Sequence, residues 1–405
     1  MKIRTLSLAL LALLASPATF AKPLGFLAMR VYLPAGDDIS KVKLPDMTFE
    51  YSDGSSKTIS PCPAPKGVLN EWINVIREKQ PDCAWSIALN GGRLLNPNIA
   101  LPDTAASYWI TDFIPDATVK KVVINGTFPN SRYFSFNSYD ATGSSFEMNG
   151  VKSSIPDFLI DPDRGYQNPW QQPALAGGKY TLNVVRSPAE ASGNVLLMPP
   201  AKEGGLKDLI VNMPNIKNCN PTCFDTHFFR PGADLISGAF PNSDSAYLIS
   251  MIKPEPGTVM VIRGKLPAYT PGDTPSTWPS GKQVRYVSLC NNLLMRPYPV
   301  VNNGCLTDSE LKLDNKGYYT VVVSHIKPVL HNHNWLPFSS LLPLQEHVVA
   351  LRNMVPDASF SQSAMNVPAD NKWTSANHVM KEYYPTIKRC SRLNYALKGR
   401  DCQAM

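Results

Sequence analysis

Four of the six histidines fall within 23 residues, at His325, His331, His333 and His347. His331 and His333 are two positions apart, so they lie on one side of an extended segment, and His325 ends the strand before them. Three neutral imidazole nitrogens could converge there on Zn or Cu. An ordinary solvated loop is the alternative, because no carboxylate stands at a characteristic offset from the histidines.

A loop with several aspartates offers oxygen ligands for Ca²⁺. As a bound metal of this protein, Ca²⁺ is a weaker candidate than Zn or Cu. It contains Asp157, Asp161, Asp163, Gly165 and Asn168. The loop lacks the terminal bidentate glutamate that completes the usual Ca²⁺-binding pattern. A turn in which aspartate side chains bond their own backbone explains the same residues.

The eight cysteines predict disulfides. An even number in an exported chain is typical of a disulfide framework, although eight cysteines allow 105 pairings. Closure between neighbours in sequence pairs Cys62 with Cys83, Cys219 with Cys223, Cys290 with Cys305 and Cys390 with Cys402. Thiolate metal ligation by Cys219 and Cys223 is disfavoured, because Pro221 breaks the helix that would align them.

Arg132 and Arg285 each precede a tyrosine in equivalent segments of the chain. A shared structural duty, such as a buried ion pair, is one interpretation, and binding of an anionic ligand is the other. Trp335, beside the histidines, is a candidate for stacking on a sugar ring. No nucleophile elbow, zinc-protease helix or phosphate-binding glycine loop is present, so the sequence leaves open whether the protein is an enzyme.

The amino terminus has the pattern of a secretory signal peptide over residues 1–21, with Lys2 and Arg4 before an apolar stretch and a run of small residues. We therefore expect a periplasmic or secreted protein. No later stretch is long and apolar enough for a transmembrane helix. The formal charge of +7 becomes +5 when Lys2 and Arg4 are removed, and this mild excess indicates no nucleic-acid partner.

The chain matches itself at a shift of about 139 residues. Five pairs of segments recur in the same order: 108–110 with 247–249, 123–129 with 261–267, 132–135 with 285–288, 180–184 with 319–323, and 212–214 with 353–356. Each is short and rich in β-branched and aromatic residues, which predicts strands. The 37 prolines also disfavour long helices.

The predicted fold is mainly β, with two tandem duplicated β-sandwich domains of a jelly-roll-like kind at 98–215 and 237–356. Residues 22–97 form an extension with one helix, because Val68, Leu69, Trp72, Ile73 and Ile76 recur at helical spacing. Residues 357–405 form a second helix, near 374–383, and a tail closed by a disulfide.

The second half of the chain resembles an uncharacterised family of exported bacterial proteins related to paired all-β domains of unknown function. The resemblance depends on the segments 240–242, 263–267, 285–290, 335–337 and 351–354. It implies export and paired β domains, and it transfers no catalytic residue to this chain.

We expect an exported, non-catalytic protein that holds an unknown small molecule or an envelope polymer, such as a carbohydrate, between its two β domains. The alternative is a metal-dependent envelope enzyme that uses the histidine cluster of the second domain. A scaffolding protein without a small ligand is a third interpretation.

Overall fold

The computed structural model describes residues 23–33, 39–65, 79–90, 97–98, 101, 103–172, 178–202, 227–232, 240–272, 275–294 and 300–405. These residues are mainly β, in several sheets, with two short α-helices, α1 (Trp373–Met380) and α2 (Arg392–Lys398). Within these ranges no helix has the length and apolar character needed to cross a bilayer.

Two five-stranded sheets form the N-terminal unit. Sheet I contains β1 (Gly25–Tyr32), β4 (Ile87–Asn90), β6 (Ala106–Phe113), β8 (Tyr133–Tyr139) and β11 (Ser154–Pro156), in the order β11-β8-β1-β6-β4. Sheet II contains β2 (Asp46–Tyr51), β3 (Ser56–Ile59), β7 (Val119–Thr127), β12 (Lys179–Val185) and β13 (Asn194–Leu197), in the order β13-β12-β7-β2-β3. A separate hairpin pairs β9 (Glu147–Met148) with β10 (Val151–Lys152).

Two further sheets form the C-terminal unit. Sheet III contains β5 (Pro97–Asn98), β14 (Ser245–Ile252), β16 (Val284–Leu294), β17 (Val300–Thr307) and β20 (His347–Pro356), in the order β14-β20-β16-β17-β5. Sheet IV contains β15 (Thr258–Lys265), β18 (Tyr318–Ser324), β19 (Asn334–Pro337) and β21 (Thr386–Ser391), in the order β19-β18-β15-β21.

The two units arrange their strands alike. β1 lies between β6 and β8, and β20 lies between β14 and β16, always antiparallel. β13 runs parallel to β12, and β19 runs parallel to β18. The units differ in the origin of two equivalent strands. β1 and β2 come from the beginning of the chain, whereas their equivalents β20 and β21 come from its end.

The apolar core of each unit lies between its two sheets. Met29 of β1 and Phe49 of β2 belong to one buried cluster, and Leu289 of β16 and Val321 of β18 belong to another. Alternation of apolar and polar residues produces this arrangement, since successive side chains of a strand point to opposite faces. In β7, for example, Val122 and Ile124 are buried, whereas Lys121, Val123 and Asn125 on the other face are not.

Each unit places a tyrosine across a strand pair from a glycine. Tyr180 pairs with Gly126, and Tyr319 pairs with Gly264. A Cβ atom built on either glycine would collide with the hydroxyl group of its tyrosine. Both rings are buried. Because glycine has no side chain, each ring can pack in the space that a Cβ atom would otherwise occupy.

Most strand predictions are confirmed. Four of the five repeated segment pairs lie in strands of the two units, and the segment 212–214 of the fifth pair lies outside the described residues. The helix predicted near 374–383 is α1 followed by a 3-10 turn (Lys381–Tyr383). The helix predicted around Val68 lies outside the described residues, and α2 was not predicted.

Candidate functional site

An arginine of each unit reaches an aspartate of the other unit. Arg132, just before β8, holds Asp308 through two hydrogen bonds of 2.8 Å, from Nη1 to Oδ1 and from Nη2 to Oδ2. Arg285 of β16 donates from Nη1 to Oδ1 of Asp157 at 2.6 Å. All four side chains are buried. The two ion pairs therefore cross the interface in opposite directions.

Each of these aspartates is also held by its own unit. The backbone N–H of Phe134 donates to Oδ2 of Asp157, and the backbone N–H of Val287 donates to Oδ2 of Asp308, both at 2.9 Å. The N–H in each case belongs to the second residue after the arginine of that unit. The local geometry is therefore repeated, and each backbone N–H holds its carboxylate in position for the arginine of the opposite unit.

A third buried ion pair joins Arg352 of β20 to Asp103, which precedes β6. Tyr286 donates to Oδ1 of Asp103 at 2.9 Å, and Ser288 donates to Oδ2. Arg352 also donates to the carbonyl oxygen of Leu101 at 3.2 Å. We call Arg132, Arg285, Arg352, Asp103, Asp157 and Asp308 the arginine-aspartate cluster.

Arg30 of β1 occupies the position in the N-terminal unit that Arg352 occupies in the C-terminal unit. Arg30 pairs in register with Tyr108 and Ser135, and Arg352 pairs with Tyr247 and Ser288. Arg30 is only 3% exposed. Its Nη2 donates to the Tyr139 hydroxyl and to the Phe240 carbonyl oxygen, and it forms no ion pair with a carboxylate of the described residues.

Three tyrosines lie between Arg30 and Arg352. The Arg30 guanidinium carbon is 5.2 Å from the centre of the Tyr108 ring, and that of Arg352 is 4.8 Å from the Tyr247 ring. Both rings are half-buried, whereas Tyr32 is fully buried. We call Arg30, Arg352, Tyr32, Tyr108 and Tyr247 the tyrosine-arginine surface. In it, each half-buried ring packs against a buried guanidinium.

The electrostatics of this surface distinguish Tyr247 from the other tyrosines. Burial alone would raise the pKa of the Tyr247 phenol, but the charges of Arg352 and Arg30 outweigh burial and lower it below its usual value of 10.0. For Tyr108 burial wins over the same two charges, and its pKa is raised. The field at the Tyr247 hydroxyl therefore favours negative charge.

Burial dominates at the aspartates of the interface. It raises the pKa of Asp157 to about 6, although the charge of Arg285 acts in the opposite direction. It also raises the pKa of Asp308, against the charge of Arg132. Desolvation of a carboxylate is costly even when a partner is present, so these pairs fix the geometry of the interface more than they stabilise it.

Aromatic rings seal the polar contacts from solvent. Tyr32, Tyr133 and Tyr286 belong to one buried cluster that draws on both units and also contains Met354. The ring centres of Tyr32 and Tyr133 are 5.6 Å apart, and those of Tyr32 and Tyr286 are 5.2 Å apart, both edge to face. Loss of water around the ion pairs strengthens their hydrogen bonds and makes an unpaired charge costly.

The four candidate metal-binding histidines lie in two places. His331 and His333 stack with ring centres 5.6 Å apart, and Nε2 of His331 is 3.1 Å from the carbonyl oxygens of Tyr395 and Ala396 in α2. His325 and His347 instead contact Phe338.

Among the described residues, the one group of three potential ligands within 4.8 Å is Asp103 with Cys290 and Cys305. Those two cysteines form a disulfide, so their sulfurs are not thiolate ligands. Zn or Cu binding by the histidines stays a prediction. The Ca²⁺ prediction likewise stays open, but the Asp157 carboxylate is occupied by Arg285 and the Phe134 N–H.

Three predicted disulfides are present, namely Cys62–Cys83, Cys290–Cys305 and Cys390–Cys402. Cys219 and Cys223 lie outside the described residues. The half-buried Trp335 lies in β19, where its Nε1 donates to Ser324 Oγ at 3.1 Å.

Arg132 and Arg285 form the buried ion pairs that their matched positions suggested, and a direct role in ligand binding stays a prediction. Sequence reasoning missed Arg30, Arg352, Asp103 and Asp308. Register was the available signal, since the 139-residue shift that aligns Tyr108 with Tyr247 also aligns Leu101 with Phe240. Each of those carbonyl oxygens accepts from one of the missed arginines.

No family model matches the chain, and no curated protein matches it. Its fold is similar to that of an uncharacterised protein from Burkholderia cenocepacia, with 10% sequence identity and a TM-score of 0.40, over 67% of this chain and 76% of that one. A protein from Vibrio parahaemolyticus is similar over 36% of this chain and 30% of that one, with 18% identity and a TM-score of 0.22.

Proposed function

We propose that the protein is an exported, non-catalytic binding protein built from two duplicated β-sandwich domains, and that its ligand lies on the tyrosine-arginine surface between them. The single observation that carries the proposal is the placement of two half-buried tyrosines, Tyr108 and Tyr247, against buried arginines of both units. Tyrosine rings that are partly accessible can stack on flat or ring-shaped ligands, among them sugars.

Equivalent side-chain hydrogen bonds in the two units support the duplication, in addition to the order of their strands. Asn194 and Asn334 each begin the parallel edge strand of their sheet. The Asn194 amide donates to the carbonyl oxygens of Asp161 and Thr181, and that of Asn334 donates to those of Lys312 and Thr320. In both units, one asparagine side chain joins two backbone carbonyl oxygens at equivalent positions. Such repetition is expected when one ancestral segment was copied.

The fixed interface is suited to ligand binding. Three buried ion pairs hold the units in one relation, so a ligand finds its contacts already in place and little conformational freedom is lost on binding. The disulfides Cys62–Cys83, Cys290–Cys305 and Cys390–Cys402 support an oxidising compartment, as expected for export.

The proposal is tested with mature protein, residues 22–405, on an array of purified bacterial envelope saccharides. We expect a defined set of saccharides to bind and the double variant Tyr108→Ala, Tyr247→Ala to lose that binding. The matched control is Tyr318→Ala, because Arg263 lies 4.8 Å from the Tyr318 ring outside the interface. Binding that survives in the double variant, or no binding by the wild-type protein, would overturn the proposal.

A further inference from the structure

Arg30 and Arg352 occupy equivalent strand positions and share one kind of acceptor, a backbone carbonyl oxygen. They differ in their side-chain acceptors, since Arg352 donates to Ser288 Oγ and Asp103, whereas Arg30 donates to the Tyr139 hydroxyl. Arg352 donates to the Leu101 carbonyl and pairs with Asp103, two residues further on. Arg30 donates to the Phe240 carbonyl, and the residue two positions further on is Asn242.

Asp103 and Asn242 have the same backbone role. The carbonyl oxygen of Asp103 accepts from Ala106 N–H and that of Asn242 accepts from Ser245 N–H, both at 3.1 Å. Their Oδ1 atoms accept from the N–H two residues on, at 3.0 Å and 3.1 Å. The side chains also meet equivalent tyrosines, since Tyr286 donates to Asp103 and Asn242 donates to Tyr133. The residue equivalent to Asp103, the charged partner of Arg352, is thus a neutral amide.

Arg30 is therefore a buried cation that lacks the counter-charge its counterpart has. The Nε atoms of Arg30 and Arg352 both lack an acceptor among the described residues, so the difference between the two arginines lies in the carboxylate. The nearby carboxylate of Asp244 forms no described ion pair with Arg30 and instead accepts from Tyr133 at 2.6 Å. A buried charge without a close partner is costly, and an anion that enters the site would relieve that cost.

Resting on the proposed function, we propose that the interface takes an acidic ligand whose carboxylate or phosphate group pairs with Arg30, in the position that Asp103 fills beside Arg352. The ring of the ligand lies on Tyr108 and Tyr247. A guanidinium holds either oxyanion by two parallel hydrogen bonds, so acidic sugars and sugar phosphates share the required chemistry.

The test is calorimetric titration of the mature protein with three probes, namely glucuronate, glucose 6-phosphate and glucose. We expect one or both acidic probes to bind at least tenfold more tightly than glucose, and their comparison identifies the oxyanion. Arg30→Gln should remove this preference. If all three probes bind equally, the inference is overturned and the proposed function stands. If no probe binds and no saccharide of the array binds, both proposals are overturned.

Asn242→Asp keeps the inference falsifiable if Arg30→Gln fails to fold. The new carboxylate restores the partner that Asp103 provides on the other side, so the variant should unfold at a higher temperature and lose acidic-probe binding at least tenfold. The matched control is Asn125→Asp, since Asn125 is an exposed residue of β7 in sheet II whose Oδ1 accepts from Thr181, an acceptor role that aspartate keeps. Undiminished binding by Asn242→Asp would contradict the inference.

Discussion

The guanidinium of Arg132 donates a hydrogen bond to the carbonyl oxygen of Arg285 at 3.0 Å. The two arginines that cross the interface in opposite directions are therefore in contact with each other. Because the carboxylate partner of each lies in the opposite unit, a shift of one unit against the other would break both ion pairs at once.

Loss of one partner of a crossing pair should be strongly destabilising. Asp308→Asn leaves Arg132 buried without its counter-charge, and we expect a loss of about 3–5 kcal/mol in the free energy of unfolding. Urea denaturation followed by tryptophan fluorescence measures it. Glu382→Gln is the control, because the Glu382–Lys265 pair lies on the surface and its loss should change little. Equal effects in the two variants would show that the crossing pair has no special role.

Stability should depend on pH through His347. Burial, with a smaller contribution from the charge of His325, lowers the pKa of His347 to about 3 from a usual value of 6.5. The unfolded chain binds a proton between these values and the folded chain does not, so this contribution is present above pH 6.5 and is lost as pH falls toward 3.

The variant His347→Gln tests this dependence. Denaturation at several pH values should show that wild-type protein loses up to about 1.4 kcal/mol per pH unit more than the variant does below pH 6.5. His325→Gln, at an exposed position, should retain the wild-type slope. Parallel slopes for wild-type protein and His347→Gln would contradict the low pKa.

A methyl group added opposite a buried tyrosine should be costly. Gly126→Ala places its Cβ on the Tyr180 hydroxyl, and overpacking of this kind costs about 1–3 kcal/mol. Gly264→Ala should behave alike against Tyr319. Thermal unfolding measures both, and adding Tyr180→Val to Gly126→Ala should cost less than the sum of the two single changes. Strict additivity would show that the tyrosine is not the obstacle.

The contacts of His331 predict that it anchors α2. Its Nε2 lies within hydrogen-bonding distance of two carbonyl oxygens of that helix. We expect His331→Ala to speed amide hydrogen exchange across residues 392–398 and to leave the zinc content of purified protein unchanged. His325→Ala is the control and should leave exchange in α2 slow. Zinc near one equivalent per chain that disappears in His331→Ala would instead support the metal-dependent enzyme.

Periodicity and repetition predicted the strands, because a strand buried on one face shows its alternation locally. The segments with Tyr180 and Tyr319 were recognised in this way, and both lie in strands. The assignment of β1 to the centre of sheet I could not be predicted, since it depends on pairing with β6 and β8, which are remote in sequence. A fully buried strand such as β1 also shows no alternation.

The candidate site was predicted only in part, for a similar reason. Arg132 and Arg285 were recognised because they hold equivalent positions in two similar segments of the sequence. Arg30 and Arg352 lie in strands that the chain supplies from opposite ends, so no single shift aligns them. The difference between Asp103 and Asn242 becomes informative only when sheet register shows that Arg30 and Arg352 occupy equivalent positions.

The opposite origins of β1 and β20 have a consequence for the time course of folding. As the chain emerges from the ribosome or from a translocation pore, β1 and β2 are already available when the rest of the N-terminal unit appears. The C-terminal unit must wait for β20 and β21, the last of which ends at Ser391 of 405 residues. Its open sheets remain exposed until then, so a chain interrupted near its end should leave one unit folded and the other prone to aggregation.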